Sequence, residues 1–186
     1  YFIESNILGV HSLLVSLQKY LYKNKKNNFK KFLQISTDEV YGDSFNQKKI
    51  FDENSRYKPS SPYSASKASA DHLVEAWGRT YKIPYNITIS VNNFGQRQNK
   101  EKFIPKIITC LKDNKKIPLY GDGKNERDWI YVKDNAQMIF EILKKGIVGQ
   151  KYNISFNQRI NNLNLIKKII KIYNQINNTN FKIKEV

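Results

Sequence analysis

The chain has 186 residues, enough to bury a sizeable hydrophobic core in one domain, or two at most. Its formal net charge is +16, but only five of the 32 basic residues are Arg, which DNA-base recognition uses most, so we expect no nucleic-acid partner. No apolar run approaches the roughly 20 residues of a membrane helix, and one cysteine excludes a disulfide framework and fits a reducing cytoplasm.

The N-terminal half has a helical pattern, then a strand pattern, then a second helix. Apolar residues recur at steps of three and four between positions 3 and 21, which predicts an amphipathic helix. Residues 32–35 predict a short buried strand, and the polar stretch 43–60 predicts a long loop. Ser61 can cap a second helix, which continues through Trp77.

The C-terminal half continues the alternation of strands and helices. The patterns predict a strand at 85–91, a helix at 103–111, strands at 117–120 and 128–132, a helix capped by Asp134 and ending at Gly146, a strand at 152–154 and a helix at 163–173. Strands that alternate with helices predict an α/β fold with a mainly parallel sheet.

Two short stretches carry the residues of an acid–base site. Thr37, Asp38 and Glu39 follow the first predicted strand, and ligands bind at this end of the strands in open α/β sheets. Tyr63 and Lys67 are four residues apart, so a helix places them on one face. A cation beside a phenol favours the phenolate, so we expect the pKa of Tyr63 to lie far below about 10. This combination predicts an enzyme.

Four motifs, in this order and spacing, resemble those of the extended short-chain dehydrogenase/reductases, the NAD-dependent epimerase/dehydratase family. They are STDEVYG at 36–42, SPYSASKASADH at 61–72, NNFG at 92–95 and RDW at 127–129. The similarity extends from residue 1 to about residue 173. Within the family it is strongest to the dTDP-glucose 4,6-dehydratases.

The resemblance implies a Rossmann-like parallel sheet and part of a smaller α/β substrate-binding domain. Residues 1–95 would be the C-terminal portion of the NAD-binding domain, which carries the catalytic residues. Residues 96–186 would belong to the substrate domain, truncated at its C-terminus and interleaved with a further Rossmann segment around 128–150. The Gly-rich loop that holds NAD's pyrophosphate is missing from the sequence. We therefore expect an internal piece of a longer protein, which binds NAD weakly or not at all and is inactive alone.

The resemblance also implies the chemistry. The family removes water from a nucleotide-linked hexose through a bound NAD that is reduced and then re-oxidised. Tyr63 would take the proton of the sugar's 4-hydroxyl, Lys67 would hold the nicotinamide ribose, and Thr37 would hydrogen-bond the reacting oxygen. Glu39 would remove the C5 proton as general base, and Asp38 would protonate the departing 6-hydroxyl as general acid.

The implied binding residues are spread along the chain. For NAD they are Tyr63, Lys67 and Asn93. For the nucleotide-sugar, dTDP-glucose or UDP-glucose, they are Thr37, Asn92, Lys102, Phe103, Pro118, Leu119, Tyr120, Arg127 and Asn162. The family pattern further implies a cytoplasmic homodimer, paired through the helix that carries Tyr63 and the helix before it. We expect no metal site and no membrane contact.

Some residues depart from the family pattern, and other functions stay open. Gln96 stands where the family usually has Pro, and Ser155 and Phe156 replace a common Gly-Gly. An epimerase or decarboxylase of the same family is the nearest alternative, although neither needs the Asp38–Glu39 pair. A basic protein that binds nucleic acid with a vestigial site is the more distant alternative. Individual residues also have simpler interpretations: Arg127 could pair with Asp122 or Asp128, and Asn92 and Asn93 could be turn residues.

Overall fold

The computed structural model describes residues 1–43, 50–119 and 121–182. They form two compact units. Unit 1 comprises Tyr1–Val91 and Asp134–Ser155, and unit 2 comprises the described residues of Asn92–Lys133 and Phe156–Val186. That these units correspond to a cofactor domain and a substrate domain stays a prediction.

The helices and strands alternate along the chain. In order they are a π-helical segment at Ile3–Leu8, α1 at Gly9–Lys23, β1 at Phe32–Thr37, a 3₁₀ helix at Asp38–Tyr41, α2 at Pro62–Tyr81, β2 at Tyr85–Ser90, β3 at Asn92–Phe94, α3 at Phe103–Lys112, β4 at Glu126–Tyr131, α4 at Val132–Lys145, β5 at Lys151–Ile154, β6 at Arg159–Asn161 and α5 at Asn162–Asn177.

Unit 1 is built on a parallel sheet with strand order β1–β2–β5. Phe32 pairs with Tyr85, and Ile87 pairs with Lys151, so β2 is the middle strand. All of β2 except its first residue is buried, as expected for a strand covered on both faces. The predicted α/β fold with a Rossmann-like parallel sheet is confirmed.

The core of unit 1 lies where α1 and α2 pack on this sheet. Its buried members include Leu14 of α1, Val74 of α2 and Ile87 of β2. Val40 and Tyr41 of the 3₁₀ helix belong to the same core. The segment that follows β1 is therefore anchored to the core at its C-terminal half, which fixes the position of the two carboxylic residues before it.

Unit 2 has a small mixed sheet and its own core. β3 pairs with β4 in parallel, and β4 pairs with β6 antiparallel. Ile107 of α3, Ile166 of α5 and Ile117 are almost fully buried in one cluster. The predicted strand at 117–120 is wrong for Ile117–Leu119, which belong to no strand. Burial of Ile117 produced the apolar signal there. Tyr120 lies outside the described residues.

The start of one helix and two short strands also differ from the sequence predictions. α4 begins at Val132, directly after β4, so Asp134 lies in the first helical turn and is not the cap. A carboxylate is favourable both at the cap and in the first turn, because both positions lie close to the positive end of the helix dipole. β3 and β6 were not predicted, because three residues are too few to show an alternating pattern.

Candidate active site

The end of β1 turns directly into the 3₁₀ helix that carries the two carboxylic residues. Thr37 is the N-cap, and its Oγ1 accepts a hydrogen bond from the main-chain N–H of Glu39 at 3.4 Å. Asp38 and Glu39 occupy the first turn and are partly buried. Gly42 ends the segment with φ +85°, a backbone conformation that L side chains rarely adopt.

The first turn of α2 is fixed by a capping box, which confirms Ser61 as the cap. Ser61 Oγ accepts from the N–H of Ser64 at 3.1 Å, and Ser64 Oγ accepts from the N–H of Ser61 at 3.0 Å. Pro62 begins the helix, where its missing N–H costs nothing. Tyr63 is the second helical residue, so this cap directly controls its position.

Tyr63 lies close to both carboxylic residues, but its pKa differs from the expectation. Burial raises the pKa of Tyr63 above its ordinary value, and the negative charges of Glu39 and Asp38 raise it further. The expected lowering of this pKa by Lys67 is therefore wrong for this state of the site. The two stretches do come together, because the 3₁₀ helix packs against α2.

The position of the Lys67 ammonium explains the difference. Its Nζ donates a hydrogen bond to the main-chain oxygen of Ile35 in β1 at 2.6 Å. Burial lowers the pKa of Lys67, and the charge of Asp71 opposes that shift. The cation therefore faces a carbonyl of β1 and the carboxylate one helical turn further along α2.

Asp71 is a buried acidic residue of this site that the sequence reasoning missed. Its side chain is 0% exposed. One oxygen, Oδ2, accepts hydrogen bonds from Ser36 Oγ at 2.5 Å and from Tyr57 OH at 3.1 Å. Burial raises the pKa of Asp71, while Ser36, Tyr57 and Lys67 lower it. The spacing of four residues from Lys67 was the signal that could have revealed it.

The π-helical segment and Phe2, the residue before it, contribute two further neighbours that the sequence reasoning missed. The ring of Phe2 meets the ring of Tyr63 edge-on, with 5.5 Å between the centroids. Asn6 Nδ2 donates to Ser66 Oγ at 2.9 Å. The sequence predicted only an ordinary amphipathic helix in this region, and its apolar spacing carries no signal for these contacts.

Those predicted binding residues after position 91 that the structure describes all belong to unit 2. Asn92 and Asn93 form β3 and pair with Trp129 and Ile130 of β4, so the alternative that they are turn residues is wrong. Phe103 begins α3 and stacks on Trp129, with 6.3 Å between the ring centroids.

The remaining predicted binding residues differ in their exposure. Lys102 and Pro118 are exposed, and Leu119 is partly buried. Asn162 begins α5, and within the described chain its Oδ1 is buried without a hydrogen-bond partner. Tyr120 cannot be placed, since it lies outside the described residues.

Arg127 lies on β4 with an exposed side chain. Asp122 forms its ion pair with Lys124 at 3.1 Å. Asp128 accepts from the main-chain N–H groups of Asn157 and of Gln158. In the part of the chain that the structure describes, neither carboxylate forms an ion pair with Arg127. The alternative that Arg127 merely pairs with Asp122 or Asp128 is therefore not seen.

The described residues contain neither a helix that could span a membrane nor a cluster of metal-ligating side chains. None of their helices is long and apolar enough to span a membrane. None of their His, Cys, Asp and Glu side chains form a group of three or more that could hold a metal ion.

Together these features define an α/β protein with a Rossmann-like sheet, a Tyr/Lys pair and two carboxyl groups at a strand end. The model of the family described as GDP-mannose 4,6 dehydratase matches residues 1–186. The chain belongs to this family.

Relatives of known name agree with the resemblance inferred from the motifs. A dTDP-glucose 4,6-dehydratase of Haemophilus influenzae is 46% identical over 178 residues, which are 94% of this chain and 52% of that protein. A dTDP-glucose 4,6-dehydratase of Escherichia coli is 43% identical over 186 residues, with 94% and 51% covered. The chain therefore spans about half the length of the curated relatives it matches.

Solved structures give the same fold. The dTDP-glucose 4,6-dehydratase of Bacillus anthracis in complex with NAD is similar with a TM-score of 0.84 and 41% identity, over 91% of this chain and 52% of that one. A UDP-glucuronic acid 4-epimerase of Bacillus cereus in complex with UDP-glucuronic acid and NAD is similar with a TM-score of 0.79 and 28% identity, over 92% of this chain and 52% of that one.

Proposed function

We propose that the complete protein is an NAD-dependent hydro-lyase that converts dTDP-glucose to its 4-keto-6-deoxy derivative. The observation that carries the proposal is the Asp38–Glu39 pair, half-buried beside Tyr63 at the end of a parallel strand. The names of relatives at 41–46% identity support the same reaction. A dehydratase needs an acid and a base at once, and a hydride transfer alone does not.

The residues present fit NAD at this site. Lys67 offers an ammonium donor and Tyr63 a hydroxyl, one helical turn apart, and both are partly buried near the end of β1. Such donors suit the two hydroxyls of a ribose. We propose that Tyr63, Lys67 and Asn93 hold the cofactor. NAD, when bound, would supply the acceptor for the hydride from the sugar's C4 and the donor for its return to C6.

The raised pKa of Tyr63 determines how the first proton must be moved. A neutral phenol cannot take up a proton, so Tyr63 must first release its own proton to solvent, and a positive charge close by is needed to stabilise the phenolate that then takes the proton of the 4-hydroxyl. Lys67 supplies that charge when its Nζ turns from Ile35 towards the cofactor ribose. Thr37 hydrogen-bonds the oxygen that becomes the 4-ketone.

The carboxyl pair then eliminates water. The 4-ketone acidifies the hydrogen on C5, and Glu39 removes it as general base. Asp38 protonates the departing 6-hydroxyl as general acid. Glu39 returns a proton to C5 when the hydride adds to C6.

Substrate binding and assembly complete the proposal. The guanidinium of Arg127 would bind the diphosphate, because its planar fork matches phosphate oxygens. Asn92, Asn162 and the segments 102–103 and 118–120 would line the nucleotide-sugar pocket. The complete protein would be a cytoplasmic homodimer, paired through α2 and the helix before it. Phe2, Leu8 and Leu13 support such pairing, since all three are 41–59% exposed on the helix preceding α2.

The test is the product that the complete protein forms from dTDP-glucose with NAD. We expect a 4-keto-6-deoxy sugar, identified by mass and by its carbonyl absorbance in alkali. A product with unchanged mass and an inverted centre would instead show the second candidate, a 4-epimerase. That candidate is favoured only by the structural similarity to the Bacillus cereus epimerase.

A further inference from the structure

Asp71 is not among the residues that the proposed reaction uses, although it is the most deeply buried acidic side chain described near the site. It is fully buried and its pKa is raised, so the fold holds a carboxylate under conditions that disfavour its charge. Its second oxygen, Oδ1, is buried without a hydrogen bond of normal geometry to any described residue. Such a group costs stability, and a role in the site can account for its presence.

The geometry ties Asp71 to Lys67 through one strand. Both residues lie on α2, four positions apart, and therefore on the same face. Lys67 Nζ donates to the main-chain oxygen of Ile35, and Ser36, the next residue of β1, donates its hydroxyl to Asp71. Ile35 and Ser36, two consecutive residues of β1, thus bind Lys67 and Asp71 of α2.

Asp71 is the one charged group that acts on Lys67 among the described residues. Around Tyr63 the charged groups are Glu39 and Asp38 of the 3₁₀ helix. Facing Asp71 from other elements are the Tyr57 hydroxyl of the loop, Ser36 of β1 and the side chain of Gln34, also of β1. The charge of Asp71 therefore acts on the cation of the site and not directly on its phenol.

We infer that Asp71 is a positioning residue, whose buried carboxylate, one helical turn from Lys67, keeps that side chain cationic, so that its charge is available to Tyr63 when the ammonium leaves Ile35. This inference rests on the proposed function, because only there does the charge of Lys67 matter for a reaction. Burial alone would favour a neutral amine at position 67. A neutral amine could neither attract the phenolate of Tyr63 nor retain its three donors.

The test compares Asp71→Asn with the wild type in the complete protein. Acetic anhydride acetylates only neutral amines. Peptide mass analysis gives the acetylation rate of Lys67 at each pH, and the pH at which this rate is half of its maximum reports the protonation of Lys67 without any turnover. We expect Asp71→Asn to lower that pH by about one to two units, the effect of one charge at the separation of one helical turn. The alkaline limb of the pH–rate profile should move down by a similar amount.

Matched variants separate this effect from a structural role. Glu75→Gln removes a negative charge one turn further along α2, where Glu75 pairs with Lys151 at 2.9 Å, and should leave the reactivity of Lys67 unchanged. Asp71→Ser, smaller and also neutral, replaces Asp71→Asn if the amide does not fold. A purely structural Asp71 would lower the rate equally at every pH and leave the half-reactive pH of Lys67 in place, which would overturn the inference. Absence of product in the wild type, with the Lys67 shift present, would instead refute the proposed reaction.

Discussion

The capping box of α2 links local sequence to the position of the catalytic phenol, and Ser61→Ala tests that link. The substitution removes the oxygen that accepts from the N–H of Ser64 at 3.1 Å. Ser64 Oγ still accepts from the main-chain N–H at position 61, at 3.0 Å, so only half of the box is lost. We expect a loss of about 1 kcal/mol in the free energy of unfolding.

A double-mutant cycle with Ser64→Ala sharpens the prediction. Ser64 is 1% exposed, and its loss leaves the N–H of Ser61 without its acceptor, at a further cost of about 1–2 kcal/mol. The two hydroxyls also contact each other at 2.9 Å. Because they share these bonds, the double variant should lose about 0.5–1 kcal/mol less than the sum of the two single losses.

The assay is urea unfolding, together with the rate at which bound NAD is reduced by substrate. Tyr63 is the second residue of the helix, so fraying of the first turn should slow the reduction of bound NAD even in the absence of urea. Ser69→Ala is the control, since Ser69 lies further along the same helix and bonds only to the carbonyl of Ala65. That variant should be neutral or slightly stabilising. Equal stability of the Ser61 and Ser69 variants, or full additivity in the cycle, would refute the reasoning.

Two further predictions concern the backbone and the alkaline limit of stability. Gly42→Ala should lower the free energy of unfolding by about 2–4 kcal/mol, because φ is +85° and a Cβ would overlap the carbonyl oxygen of Lys58. Gly149→Ala is the control, because φ is +84° there but the space around it is open, and it should lower the same free energy by only about 1 kcal/mol in urea unfolding. Burial raises the pKa of Tyr41, Tyr57 and Tyr63, so their neutral forms stabilise the fold fully below pH 10, and this stability is lost as the pH rises above it. Between pH 10 and 11 the free energy of unfolding should fall by up to about 1 kcal/mol for each of these tyrosines. The total fall should be smaller in Tyr57→Phe, which has one titrating hydroxyl fewer. An unfolding free energy that does not change over this range would contradict the burial.

The parts of the fold that follow from local sequence could be predicted. β1 is a strand as predicted, and Ser61 caps α2 as predicted. The expected burial of the apolar run of β1 is wrong, because the buried residues are Gln34 and Ser36 and Ile35 is 52% exposed. The motifs also identified the family, because they combine residue type with spacing along the whole chain.

The parts that depend on distant contacts could not be predicted. The pKa of Tyr63 was expected to fall, but the direction depends on where the ammonium of Lys67 points, and that is set by a carbonyl of β1 thirty-two residues earlier. Asp71 was overlooked because its burial results from Ser36 and Tyr57, two residues outside α2. The three-residue strands β3 and β6 exist only through their pairing with β4.

The division of labour between oxidation and elimination is the central claim, and Glu39→Gln tests it most directly. Single-turnover measurements in the complete protein should follow reduction of bound NAD at 340 nm and release of water from C6 by product mass, with Asp38→Asn as the matched variant. We expect Glu39→Gln to retain reduction of NAD and to form no 4-keto-6-deoxy product, because only the C5 proton needs this base. Loss of both steps by the same factor would contradict the account.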